Sequence, residues 1–242
     1  MRIAPHPMAL APVLALGLLF SSAVLAVPAT GKSEVAPVEV QPKGLLAVTP
    51  IFGEVFAQRL PQAFKPQAET TQGQMYMRAM VLATDPDQGP WTQRVLLTAI
   101  KDGASLPNAS AKTYALFIAK GFKDACPTTF TGGEMSQGRT ETGHETYVMA
   151  VACGSHSLTS DKKPTSEITV VATFKGDKNM YSLQWGSRAA PMNREPVLDQ
   201  ALLQKRLAEM TPVRICRLVE GEQAPFPSCV GKLGGKAASK PR

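Results

Sequence analysis

The chain has 242 residues, with 26 Lys and Arg against 19 Asp and Glu and a formal charge of +7. An apolar content of 44% and a charged content of 19% belong to a chain that folds, and exclude a wholly disordered or collagen-like one. The excess charge is local: removing Arg2, Lys232, Lys236, Lys240 and Arg242 from +7 leaves +2 for residues 27–230. That nearly neutral body lacks the basic stripe of a nucleic-acid binder, so no nucleic-acid partner is expected. The tail alone could make weak contact with an anionic surface.

Residues 1–26 read as a signal peptide. Arg2 precedes an apolar run from Met8 to Phe20, and Val24-Leu25-Ala26 offers the small side chains that a signal peptidase reads. The run is short for a bilayer span. Cleavage after Ala26 and export to the periplasm or beyond are therefore expected. Cys126, Cys153, Cys216 and Cys229 all follow that point, and an even count in an oxidising compartment favours two disulfides. Three connectivities are possible, of which the pairing of sequence neighbours, Cys126–Cys153 and Cys216–Cys229, is preferred. No C-x-x-C spacing occurs and His is scarce, so neither zinc nor any cofactor is expected.

Residues 27–50 contain Pro28, Pro37, Pro42 and Pro50 among small and polar residues, and read as a disordered lead-in. A single α+β domain over residues 51–230 and a basic disordered tail over 231–242 follow. Within 51–64, Phe52, Phe56 and Leu60 recur at every fourth residue and predict a short helix. Alternation predicts strands over 73–84 and 91–100, joined by the turn-rich segment 85–90 into an antiparallel hairpin. Asn108 or Ser110 can cap a helix over 111–125, with Tyr114, Phe117, Ile118 and Phe122 as its inward stripe. Gly132, Gly133, Gly138 and many hydroxyls make 128–143 read as a long exposed loop.

The strand predicted over 145–153 carries Tyr147, Met149, Val151 and Cys153 on one face and Val148, Ala150 and Ala152 on the other. Both faces are apolar, so the strand should be central and covered on both sides. A polar loop over 154–164 leads into the clearest feature of the sequence. Ile168, Val170, Ala172 and Phe174 alternate with polar or small residues, as do Tyr181, Leu183 and Trp185. Lys175-Gly176-Asp177-Lys178-Asn179 between them suits a turn, which makes a β-hairpin. A helix from Pro196 to Thr211, with Leu198, Leu202, Leu203, Leu207 and Met210 as its stripe, and a short edge strand over 213–218 complete the domain. The fold class is α+β: an antiparallel sheet of about five strands with helices packed against it.

Leu60-Pro61-Gln62-Ala63-Phe64, a strand containing Tyr76, Trp91-Thr92-Gln93, and the later Cys126, Cys153, Tyr181 and Cys216 form a pattern over residues 60–216. It resembles a group of uncharacterised exported bacterial α+β proteins. The order of elements is also similar to PsbP-like folds. The resemblance implies a fold and carries over no catalytic or binding residue.

No catalytic set assembles from spacing. His144 and His156 are twelve residues apart, roughly 40 Å on an extended strand, and read as surface or turn histidines. Ser155 and His156 are adjacent, so on an extended chain they point to opposite sides. Ser160-Asp161-Lys162-Lys163 matches S-x-x-K without the partner motifs of penicillin-binding enzymes. Glu141 and Glu145 read as solvated, and residues 231–236 have the wrong spacing for a P-loop. The expected function is a non-catalytic binding or accessory module of the cell envelope with a protein partner. The alternative is a hydrolase whose site is assembled from residues 128–143 and 154–164. Trp185 is predicted to anchor the core. Trp185→Ala should cost about 3–5 kcal/mol in a thermal melt, and a midpoint unchanged within a degree or two would place that side chain at the surface.

Overall fold

The structure, a computed structural model, is described for residues 45–156 and 163–231; the segment read as a signal peptide, the S-x-x-K serine and most of the basic tail lie outside the described residues. Among the described residues ten strands form two antiparallel sheets. They are β1 Leu45–Ile51, β2 Glu54–Leu60, β3 Phe64–Gln72, β4 Met75–Leu82, β5 Gln93–Ile100, β6 Phe130–Arg139, β7 Glu145–His156, β8 Thr165–Lys175, β9 Met180–Ala189 and β10 Arg214–Arg217. The helices are α1 Ala111–Ala125, α2 Gln200–Met210 and the single turn α3 Pro227–Val230. The larger sheet has seven strands in the order β3-β4-β5-β9-β8-β7-β6, and the smaller has three, β1-β2-β10.

Alternation places the predicted hairpin, β8–β9, at the centre of the seven-stranded sheet. On one face Val170, Ala172, Phe174, Tyr181, Leu183 and Trp185 meet Phe56 and Leu60 of β2, Ile215 of β10, and Leu203 and Met210 of α2. On the other face Tyr147, Met149, Val151 and Val171 meet Ala111, Ala115 and Ala119 of α1. Strand β7 is thus covered on both sides, as its two apolar faces require. Trp185 is 5% exposed, stacks edge-on against Phe64 at 5.1 Å, and donates from Nε1 to Gln93 Oε1 at 3.0 Å. It is the expected anchor.

Several expectations fail for identifiable reasons. Residues 51–60 belong to the β1–β2 hairpin and not to a helix, and residues 45–50 of the predicted lead-in are strand β1, paired with β2 along its whole length; residues 27–44 lie outside the described residues. The four-residue spacing of Phe56 and Leu60 is also an even spacing, so a strand puts both on one face. Val55 and Ala57 pack oppositely, against Phe226, Cys229 and Val230. Residues 130–139 are the edge strand β6 and not a loop. An edge strand with a half-exposed face needs no apolar alternation, and Glu134–Ser136 is bulged. The same reasoning accounts for β3, a polar edge strand bulged between Pro66 and Ala68. The sheet therefore has seven strands and not five. Helix α2 begins at Gln200, capped by Asp199, whose side chain accepts Leu202 N, rather than at Pro196; Leu202 stays exposed.

The densest polar tie between the two sheets is at Glu54. Glu54, 2% exposed at the start of β2, accepts from the backbone N–H groups of Asp177 (2.6 Å), Lys178 (3.2 Å) and Asn179 (3.2 Å). Asn179 Nδ2 (2.6 Å) and the Tyr181 hydroxyl (2.8 Å) donate to the same carboxyl group. Gly176 makes the approach possible, since a Cβ there would lie 2.9 Å from Glu54 Oε2. Asn179 also accepts from Asp102 N at 3.0 Å and donates to Phe52 O at 3.3 Å, tying in the β1–β2 turn and the 3-10 turn Gly103–Ser105. Glu54→Ala would strand several buried donors, each at about 1–3 kcal/mol. A loss of at least about 3 kcal/mol in urea unfolding is expected, and a loss under about 1 kcal/mol would show that water replaces the carboxyl group.

Candidate functional site

Helix α1 forms because Ser110 accepts Thr113 N at 3.0 Å while Thr113 Oγ1 accepts Ser110 N, a reciprocal cap. Glu145 Oε1 accepts Ala111 N at 3.0 Å and Thr173 Oγ1 donates to Ala111 O at 2.7 Å, so the first turn is pinned over β7 and β8. The inward stripe is Ala111, Ala115 and Ala119, flanked by the partly buried Ile118 and Phe122. Phe117, expected to point inward, is 70% exposed. Small alanines let the helix sit close on the sheet, which turns the Phe117 line aside.

That line borders a groove of about 440 Å³, lined by Ile100, Leu106, Pro107, Tyr114, Phe117 and Met180 among others. Leu106 is 62% exposed. Tyr114 closes the floor, its hydroxyl 3.1 Å from Thr98 Oγ1, which lies 2.7 Å from Ser182 Oγ; burial pushes the Tyr114 phenol up, opposed by these contacts. Exposed phenylalanine and leucine side by side at the mouth of a mostly apolar groove suit an apolar partner group. Periodicity put Phe117 on the inward stripe, and the structure turns the alanine stripe inward in its place.

The chemically reactive residues group differently. Residues 144 and 156 stand at opposite ends of β7 and do not meet. His144 sits in the β6–β7 turn, with Nδ1 3.0 Å from Thr142 Oγ1 and Nε2 3.3 Å from Asp177 Oδ1. His156 departs from the surface expectation, with its side chain only 2% exposed and Nε2 3.4 Å from Glu167 Oε2. Glu167 also accepts from Arg188 Nε at 2.9 Å and from Thr169 Oγ1 at 3.1 Å. Arg94 and Arg188 both stack on the Trp91 ring, at 4.3 and 3.8 Å. Burial pushes the Glu167 carboxyl up, but His156, Arg188 and Arg94 together outweigh it and hold the group below its ordinary range.

The other candidates are structural. Glu145 caps α1, and Glu141 pairs with Arg214 at 3.2 Å. Ser155 is held through its N–H by Thr129 Oγ1 at 3.3 Å. Disulfides join Cys126 to Cys153, fastening the end of α1 to β7, and Cys216 to Cys229, fastening α3 to β10. Among the described residues no group of three His, Cys, Asp or Glu side chains is placed to hold a metal ion, and no helix is long and apolar enough to cross a membrane.

No protein-family model and no curated protein sequence matches the chain. Among solved structures, the Saccharomyces cerevisiae Ran-binding protein Mog1p aligns over 69% of this chain and 93% of its own, at 8% identity and a TM-score of 0.41. A point mutant of Mog1 aligns over 68% and 85%, at 7% identity and a TM-score of 0.39. Likenesses this faint leave function to the residues themselves.

Because the folded Glu167 is more acidic than the unfolded one, the stability it confers is fully present above its unfolded value of about 4.3. It is lost as pH falls through the lower folded value. Urea midpoints followed downward from about pH 5 should fall, and Arg188→Gln should flatten that fall. An unchanged slope in the variant would remove Arg188 from the cluster's energetics.

Proposed function

We propose that this is an exported, non-catalytic binding module of the cell envelope that presents the groove beside α1 to a protein partner. The observation that carries the reading is the pair Phe117 and Leu106, exposed at the mouth of an apolar groove. Large apolar groups left in water on a well-packed body mark interaction surfaces. Two disulfides support export, since they persist in oxidising compartments. The signal-like first segment and the resemblance to exported bacterial α+β proteins agree with that location.

The rival hydrolase would have to use His156 and the segments around it. That ring is 2% exposed, and both oxygens of its acid, Glu167, already accept hydrogen bonds from Arg188 and Thr169. Three clefts that border residues 136–143 are lined without His156.

A photo-crosslinking amino acid placed at Phe117 in the exporting cell should capture a discrete partner, whereas one placed at Lys205, on α2, should not. Phe117→Ser should abolish the crosslink obtained from a probe at Leu106 while moving the thermal midpoint by no more than about 2 °C, because both side chains are exposed. Hydrolysis of ester, glycan or peptide probes that disappears in His156→Ala would overturn the reading in favour of the rival.

A further inference from the structure

A second cleft differs in chemical character from the groove beside α1. It measures about 540 Å³ and lies where the β6–β7 and β8–β9 turns of the larger sheet meet the end of β10 in the smaller one. That volume falls within the range of small-molecule sites. Apart from glycines, Ile215 and Cys216 are the apolar residues among the described residues that line it, and no Phe, Tyr or Trp does so. An apolar ligand would find little to pack against. The walls are fixed in advance: Glu54 accepts from the N–H groups of Asp177 and Lys178, and Thr142 Oγ1 accepts Ile215 N at 3.3 Å, tying the β6–β7 turn to β10. A preformed wall spares a ligand the cost of ordering it.

Charge sets what the cleft can hold. Arg139, Lys175 and Arg217 line it against two carboxylates, Glu145 and Asp177, so it carries one net positive charge, or two when His144 is protonated. Both carboxylates are engaged elsewhere. Glu145 Oε1 accepts Ala111 N as a cap of α1, and Asp177 Oδ1 faces His144 Nε2 at 3.3 Å. The cations are held by neutral groups instead. Arg139 donates to Gly143 O at 2.6 Å and Lys175 Nζ to Ala109 O at 2.8 Å, and neither forms an ion pair among the described residues. The Arg217 side chain is 81% exposed and comes to 3.8 Å from Asp177 Oδ2, beyond hydrogen-bond reach. A guanidinium has five N–H donors and an ammonium three, so most donors on these side chains are left for a ligand.

The three cations come from three elements, the ends of β6, β8 and β10, and border one cleft. A single small acid group would leave some of them unanswered. Planar guanidinium forks match the paired oxygens of carboxylates and phosphates, and a cleft with an excess of one charge concentrates ions of the other. We propose that this cleft binds a compact multivalent oxyanion, a small molecule carrying two or more phosphate or carboxylate groups, with Arg139 and Arg217 donating to its acid oxygens. The site shares no lining residue with the groove beside α1, so it is a second binding function and does not depend on the first.

The test titrates the full chain with pyrophosphate and, separately, with citrate, in about 0.15 M sodium chloride, where exposed charges are screened beyond about 8 Å. His144 lies in the cleft and His156 at the other end of β7, so their ring NMR signals supply a reporter and a reference. Saturable movement of the His144 signals, with those of His156 still, is expected for at least one of the two anions. Arg139→Gln and Arg217→Gln should each weaken that binding at least about tenfold, while Lys205→Gln, on α2, leaves it unchanged. Both arginines are exposed, so neither change should unfold the chain. Saturation by pyrophosphate alone assigns the site to phosphates, and saturation by citrate alone assigns it to carboxylates. Shifts that stay linear with concentration overturn the inference, as does binding that survives both arginine substitutions. Equally tight binding of acetate or of glucose would overturn it too, since neither is a multivalent anion.

Discussion

The carboxyl group of Glu54 is the point at which the architecture is held together. It stands on the smaller sheet, yet its hydrogen-bond donors are N–H groups of the turn that closes the β8–β9 hairpin in the larger one, together with the buried Tyr181 hydroxyl. A four-residue turn leaves N–H groups without strand partners, and burying them would be costly. Glu54 accepts from three of them, while Asn179 passes the connection on to the turns at Phe52 and Asp102. Three loops far apart in the chain are thereby fixed by two side chains. Directional bonds then set where the hydrophobic cluster of Phe56, Phe174 and Tyr181 must form, with ring centroids 5.7 and 5.0 Å from Phe56.

Fixing the small sheet on one face of the large one has a consequence for the other face. The connections available to the chain provide one long helix for that side, α1, and its cover extends over little more than half of seven strands. The Cys126–Cys153 bridge anchors the C-terminal end of α1 to β7, and the Glu145 and Thr173 contacts anchor its first turn to β7 and β8. The helix has no freedom to move toward β4. The exposed Phe117 and the groove beside it are two views of one fact: a rigidly placed helix on a wide sheet. Position, more than any unusual residue, makes this a candidate interaction surface.

The buried cluster of His156, Glu167, Arg188, Arg94 and Trp91 shows why isolated reactive residues were a poor guide. His156 reads as a surface or turn histidine from the sequence because twelve residues of extended chain separate it from His144. Its partner Glu167 comes from the next strand, brought alongside by the β7–β8 pairing, and Arg188 from the strand after that. No spacing rule relates these positions. The acid that might have served a nucleophile is instead held by two cations and a hydroxyl, a structural tie at the end of four strands.

Alternation with a period of two, read from Ile168 to Trp185 and over residues 145–153, was enough to establish the central hairpin and the doubly covered strand, because a buried strand must be apolar on each face that meets a layer. Cap and stop residues were enough for α1, where Ser110 and Pro127 bracket an unambiguous helix, and neighbouring cysteines paired as their spacing suggested. The edges were not legible. Strands β3 and β6 face solvent, so no apolar pattern is demanded of them, and Phe56 and Leu60 satisfy a helix and a strand equally because four is a multiple of two. Which face of α1 turned inward and which charges met were decided by long-range packing, since each depends on residues from distant strands arriving at one place.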